Sequence, residues 1–207
     1  MNNNDLFEKV PISKAYFKLA LPVILSMVIS LVYNMVDTFF VAQTQNTNLV
    51  AGVSLCAPIF TLMIALGDIF SIGGSSVISR LFGQKQDEEG KNVSDFCFYG
   101  AIVCGILVSL IMMIARKPIL TILGTNQATL PYASQYYTYM ALGATLIIVS
   151  LTPSNLMRTE GLATESMIGT ITGSIINMIL DPIFILYLNM EAGGAAIATI
   201  IGYFASD

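Results

Sequence analysis

The stretch Leu31-Val32-Tyr33-Asn34-Met35-Val36-Asp37-Thr38-Phe39-Phe40-Val41 sets a carboxylate inside an apolar run long enough to cross a membrane. A second stretch, Ile175-Ile176-Asn177-Met178-Ile179-Leu180-Asp181-Pro182-Ile183-Phe184-Ile185, repeats the arrangement. An aspartate at the centre of a bilayer helix costs roughly 2.5–3.5 kcal/mol on insertion scales. Such a side chain normally faces a partner or a wet cavity, so both are functional-site candidates.

The rest of the composition agrees with that reading. Hydrophobic residues make up 55% of the 207 residues and charged residues 11%, where soluble domains carry about 25% charged residues. Mean hydropathy is +0.75. Several apolar runs of membrane length indicate an all-α polytopic membrane protein. The short alternating segments of a β-barrel are absent. Net charge is −4 with no basic tract, which gives nucleic acid nothing to bind. The chain has no histidine, which excludes imidazole zinc sites and histidine bases. Cys56, Cys97 and Cys104 lie in apolar runs without paired spacing and read as small packing residues. The polar N-terminus, Met1 to Lys9, lacks a basic region and cleavage site, so the first span is expected to serve as an uncleaved anchor.

Six hydrophobic segments are expected, at about 17–42, 49–82, 93–115, 131–156, 163–188 and 192–206, after an N-terminal segment 1–16. Residues 17–207 then form one transmembrane bundle. An inside N-terminus places Lys9, Lys14, Lys18, Arg80, Lys85, Lys91 and Arg158 on the inner side and only Arg116 and Lys117 outside. The positive-inside rule therefore predicts a cytoplasmic N-terminus and a cytoplasmic 1–16 segment. Residues 192–206 reach only ~22 Å at 1.5 Å per residue, less than the ~30 Å hydrocarbon core. The sixth helix is accordingly expected to be truncated.

Helical spacing gathers the polar residues. Ser26, Ser30, Asn34 and Asp37 share one face of the first span, because residues four apart drift by only ~40°. Gly169, Gly173, Asn177 and Asp181 form a stripe on the fifth span, beginning as a GxxxG pattern. Depth is the sharper test. Asp37 lies ~9 Å from the outer end of its helix, Asp181 ~12 Å and Thr199 ~10 Å. Asn177 sits one turn deeper on the Asp181 face. Asp68 lies ~28 Å down and falls outside this cluster, near the inner interface or at a cavity mouth. Ser30, Tyr33, Asn34 and Asp68 are possible cavity-lining residues. The two aspartates read either as a structural pair or as a functional site. Membrane hydrogen bonds of ~0.6–2 kcal/mol barely offset the cost of insertion, which favours a functional site. Pro182 removes a helix hydrogen bond and frees the carbonyl of Met178. Pro22 either starts its helix or kinks it. Both prolines are hinge candidates.

These residues together resemble the multidrug and toxic compound extrusion (MATE) family, in its DinF-like branch. The resemblance is carried by Pro22 with Tyr33-Asn34-Met35-Val36-Asp37, by Gly73-Gly74-Ser75-Ser76 with Ile78 to Gly83, and by Asn155 to Gly161. Asn177-xxx-Asp181-Pro182 and Gly194 to Thr199 complete it. It implies one six-helix lobe, the N-terminal one, of a twelve-helix transporter, with a C-terminal lobe as partner. It also implies a cation site at Asp37, Asn177, Asp181 and Thr199, with the backbone of Ala195 as a further ligand. The function implied is sodium- or proton-coupled export of drugs or other bulky, often cationic organic compounds across the bacterial cytoplasmic membrane. No cofactor and no metal beyond the coupling ion is expected, and no enzyme activity. Asp, Asn and Thr are hard oxygen ligands that suit a small hard cation, and a desolvated carboxyl can equally carry a proton.

Two other readings fit less well. An intramembrane aspartyl protease would need a Tyr-Asp and a Gly-x-Gly-Asp pattern; here Val36 precedes Asp37, and Ala65-Leu66-Gly67-Asp68 lacks the first glycine. A lipid-linked precursor flippase would want a cationic cavity for pyrophosphate, and the interior faces read from sequence carry acids without Arg or Lys.

Overall fold

The computed structural model describes residues 11–206; Lys9, the rest of residues 1–10 and Asp207 lie outside them. Within that range helix follows helix with short turns and no strand. The first helix, α1 (Ile12–Gln43), begins before the apolar run at residue 17. Backbone hydrogen bonding needs no apolar side chain, so residues 12–16 extend the helix ahead of the apolar run. Pro22 therefore lies inside α1, which leaves the kink and removes the start-of-helix reading.

The expected second span is two helices, α2 (Thr47–Leu55) and α3 (Ala57–Gly83), joined at Cys56. Pro58 has no N–H to continue the ladder, and the amides of Ile59 and Phe60 both turn to the Cys56 carbonyl, at 3.0 and 3.3 Å. The Asn46 side chain caps α2 by accepting from the amides of Asn48 and Leu49, while its Nδ2 donates to Tyr132 Oη at 2.8 Å. That bond pins the turn to the fourth span.

After α4 (Asp87–Ile114), the expected loop 116–130 contains a short helix, α5 (Arg116–Ile122). It closes with Gly124 at φ +81°, its amide reaching the Thr121 carbonyl. The long helix α6 (Leu130–Thr159) is the axis of the bundle. Its Tyr137, Met140, Ala141, Ala144, Ile147 and Ile148 are buried, with α3, α4 and α8 packed around them. Next comes α7 (Ala163–Pro182), which runs on into one π-helical turn, Ile183–Tyr187. The last helix, α8 (Glu191–Ala205), is 15 residues long.

Exposed apolar surface is evident on α1, at Leu21, Ile24, Met35 and Phe39 among others. Five helical stretches are long and apolar enough to cross a membrane, and α8 is a shorter apolar one. The chain is a multi-pass membrane protein. α1 packs principally along α7 and stands away from α6, so α7 and α8 floor a gap between them. That gap positions everything below.

Candidate functional site

Most hydroxyls in these helices satisfy themselves. Thr170 Oγ1 donates to the Ser166 carbonyl at 3.0 Å, Ser174 Oγ to Thr170 at 2.8 Å, and Ser75 Oγ to Ser71 at 2.6 Å. This back-bonding makes a membrane serine or threonine an ordinary structural residue. A carboxylate carries no proton to donate and gains nothing this way. Among the described residues, the buried side-chain oxygens and nitrogens without a partner are Asp37 Oδ1, both oxygens of Asp181, both amide atoms of Asn177, and Thr152 Oγ1. Thr152 apart, they come from three residues that the sequence had put on interior faces.

The local fold brings them together. On α7 a side chain at Gly173 would place its Cβ 2.4 Å from the Gly202 carbonyl of α8, and one at Gly169 would meet Ser206 O at 2.4 Å. The two backbones thus cross in contact, as small-residue stripes permit. One turn beyond the crossing, Asn177 (2% exposed) and Thr199 (4%) face the same cavity from the two helices. Asp181, fully buried, lies one turn further along α7, and the carboxyl of Asp37 adjoins it from α1. The cavity is about 260 Å³ and is bordered by Ser30, Tyr33 and Asn34 of α1 and by Phe60 of α3.

Several sequence candidates need a closer account. Thr199 Oγ1 donates to the Ala195 carbonyl at 2.9 Å, so that carbonyl is engaged, and the threonine oxygen keeps its lone pairs. Asn34 is on the exposed side of α1, with its Nδ2 bonded to the Ser30 carbonyl at 2.7 Å. Asp68 accepts from Ser71 Oγ at 3.2 Å and borders neither this cavity nor the larger one beside it. Pro182 ends α7, and the π turn after it is closed by Leu188 N to Ile183 O at 2.8 Å.

Tyr136 of α6 belongs here too: in the sequence it falls in the Tyr132, Tyr136, Tyr139 face at the outer end of its span and reads as an interface belt, whereas both aspartates lie near it. Other residues were not singled out by the sequence. Tyr203 stacks edge-on against Phe60, with ring centroids 6.1 Å apart. Thr170 and Ser174 join the cavity wall at the 4-4-3-4 spacing that runs from Ser166 to Asp181. Arg158 is a correction: the interior is not free of basic residues. Its guanidinium turns in from the end of α6, donating through Nε to Ser166 Oγ at 2.9 Å, and borders a second cavity. It is a lone cation, not the cluster a pyrophosphate site would use.

A polar pocket of this kind, in a bundle of this shape, has known counterparts. The MatE family model matches residues 22–183. The chain belongs to the MATE family. The multidrug export protein MepA of Staphylococcus aureus is 33% identical over 200 residues, covering 97% of this chain and 44% of that protein. MepA of Staphylococcus saprophyticus is 32% identical over 195 residues. A structure described as the outward-facing conformation of a multidrug resistance MATE family transporter superposes with a TM-score of 0.93 at 28% identity. It covers 100% of this chain and 45% of that one. The chain thus spans less than half the length of the relatives it matches, and its helices correspond to one MATE lobe. Members of the family are transporters, not enzymes.

Proposed function

We propose that this lobe belongs to a cation-coupled antiporter that exports drugs or other bulky, often cationic organic compounds, and that Asp37, Asn177, Asp181 and Thr199 hold the coupling ion. The observation that carries the reading is the convergence of unpartnered, buried polar atoms from Asp37, Asn177 and Asp181 at one place. Leaving a buried acceptor unmet is costly, and a proton or a small hard cation supplies what these oxygens lack. Sodium and proton are both compatible with the donor set.

Coupling follows from the packing. Two adjoining ionised carboxylates repel across the α1–α7 contact, and a bound cation reverses the sign of that interaction. Loaded and empty lobes then prefer different arrangements of α1, which is the free-energy link an antiporter needs. Pro22 gives α1 a place to bend, and Pro182 with its π turn gives one beside Asp181. Alternating access further requires a C-terminal lobe against which this one rocks. We assign the chain to the DinF-like branch on its motif set, and to the bacterial cytoplasmic membrane with its N-terminus inside on the placement of its basic residues.

The test is efflux of ethidium from vesicles that hold this lobe with its C-terminal partner, under sodium and proton gradients imposed in turn. One gradient drives efflux, and Asp37→Asn or Asp181→Asn abolishes it. Undiminished efflux in both variants would overturn the assignment.

A further inference from the structure

Polar side chains continue along the cavity wall away from Asn177 and Thr199. A second cavity of about 490 Å³ lies in the gap between α1 and α6. Ser30, Asn34, Thr170, Tyr203 and Ser206 border both cavities, so the two form one groove. Away from the aspartates it is lined by Ser26, Ser150, Ser154 and Asn155, with Met27, Leu31 and Leu151 as its aliphatic members, and it ends at Arg158.

The position of Arg158 is set by local structure. Gly161 stands at φ +84°; its amide bonds to the Arg158 carbonyl at 3.1 Å and that of Leu162 to Met157 at 2.9 Å. This Schellman closure ends α6 and turns the chain into α7. It brings Arg158 Nε to Ser166 Oγ at 2.9 Å. Ser166 precedes Asn177 on the same helix by a rise of ~16 Å, so the guanidinium marks one end of the groove and Asn177 with Thr199, one turn short of Asp181, the other. Lys85, on the turn before α4, and Lys91, in its second turn, border neither cavity.

The space is large enough for water, and hydroxyl and amide groups stand along its walls among the aliphatic ones. A fixed cation at one end of a narrow polar path with low-dielectric walls sets the field along it. We propose that the groove is a water-filled access path from the Arg158 end of the bundle to Asn177 and Thr199, beside the Asp37–Asp181 pair, and that Arg158 bars cations at its entrance. An ion on the pair then exchanges by way of this end only when α1, α6 or the arginine moves. The inference goes beyond the ion-coupling reading, because it concerns how the pair is reached whatever binds there.

Thiol accessibility tests it on the chain as it stands. Single cysteines replace Ser30, Ser154 and, as a lipid-facing control on α4, Leu107, in a Cys104→Ala background; Cys56 and Cys97 are buried. Membrane vesicles are treated, from the side bearing Arg158, with the impermeant trimethylammonium-ethyl and sulfonatoethyl methanethiosulfonates. Rates are normalised to a cysteine at exposed Gln84. Ser30→Cys and Ser154→Cys react while Leu107→Cys does not, and the anionic reagent is favoured by about tenfold. Arg158→Gln brings that ratio near one, and Arg158→Lys keeps it. A Ser30→Cys chain as inert as Leu107→Cys overturns the water path. An unchanged ratio in Arg158→Gln overturns the barrier. The ratio is read within one variant, so partial misfolding does not imitate its loss. Neither result depends on efflux, so this inference and the coupling assignment fail separately.

Discussion

Replacing Gly173 with alanine separates the packing argument from any argument about ions. The new Cβ would stand 2.4 Å from the Gly202 carbonyl and 2.9 Å from Ser206 Cβ, where ordinary contact begins at 3.4 Å. Both are backbone or near-backbone atoms of α8 and its C-cap, so no side chain can swing aside, and the helices must part by about 1 Å. Overpacking of this kind costs typically ~1–3 kcal/mol. For a chain of this length that lowers the melting temperature by roughly 2–4 °C per kcal/mol. Gly73→Ala is the control, because a Cβ there meets nothing within 4 Å. It collects the helix-propensity gain of about 1 kcal/mol without a clash. Thermal melting of the purified protein in mild detergent, followed by circular dichroism, should place Gly173→Ala below wild type and Gly73→Ala at or above it. Gly173→Ala melting with or above Gly73→Ala would refute the close α7–α8 crossing, and with it the placement of Asn177 opposite Thr199.

Other variants probe separate parts of the account. Tyr137 Oη donates to the Met112 carbonyl at 2.7 Å in the core, so Tyr137→Phe should cost about 1–2 kcal/mol in the same melting assay. Gly161→Ala forces an L residue to φ +84° at the end of α6. It should lower stability by ~1 kcal/mol or more, again read by melting. Asp68→Asn removes a carboxylate whose bond is to Ser71 within α3, and should leave gradient-driven ethidium efflux at the wild-type level.

The interior faces and the depth of the carboxylates were legible because a helix fixes both through its 3.6-residue turn and 1.5 Å rise. Asp37 on one span and Asp181 on another could be brought to one level before any tertiary contact was known. The break at Cys56 could not, because the residues on either side of it are apolar and a membrane proline more often kinks a helix than divides it. The π turn at Ile183–Tyr187 has no signature in its five apolar residues. Arg158 was hidden for a different reason. Its sequence neighbours make it an inner-loop residue, and only the αL turn at Gly161 and the gap between α1 and α6 carry it inward. Tyr136 was read by the habit of tyrosines at helix ends, whereas its partners are set by the crossing of α1 and α7 beside it. What depends on one helix was readable, and what depends on the space between three was not.

If Asp37 and Asp181 share a cation, infrared difference spectroscopy of the purified protein in lipid observes it directly. A protonated-carboxyl C=O band from the pair should disappear when the proton is removed or displaced by sodium. The band should be lost or altered in Asp37→Asn and in Asp181→Asn, and absent from the double variant. A wild-type difference spectrum in the double variant would contradict it.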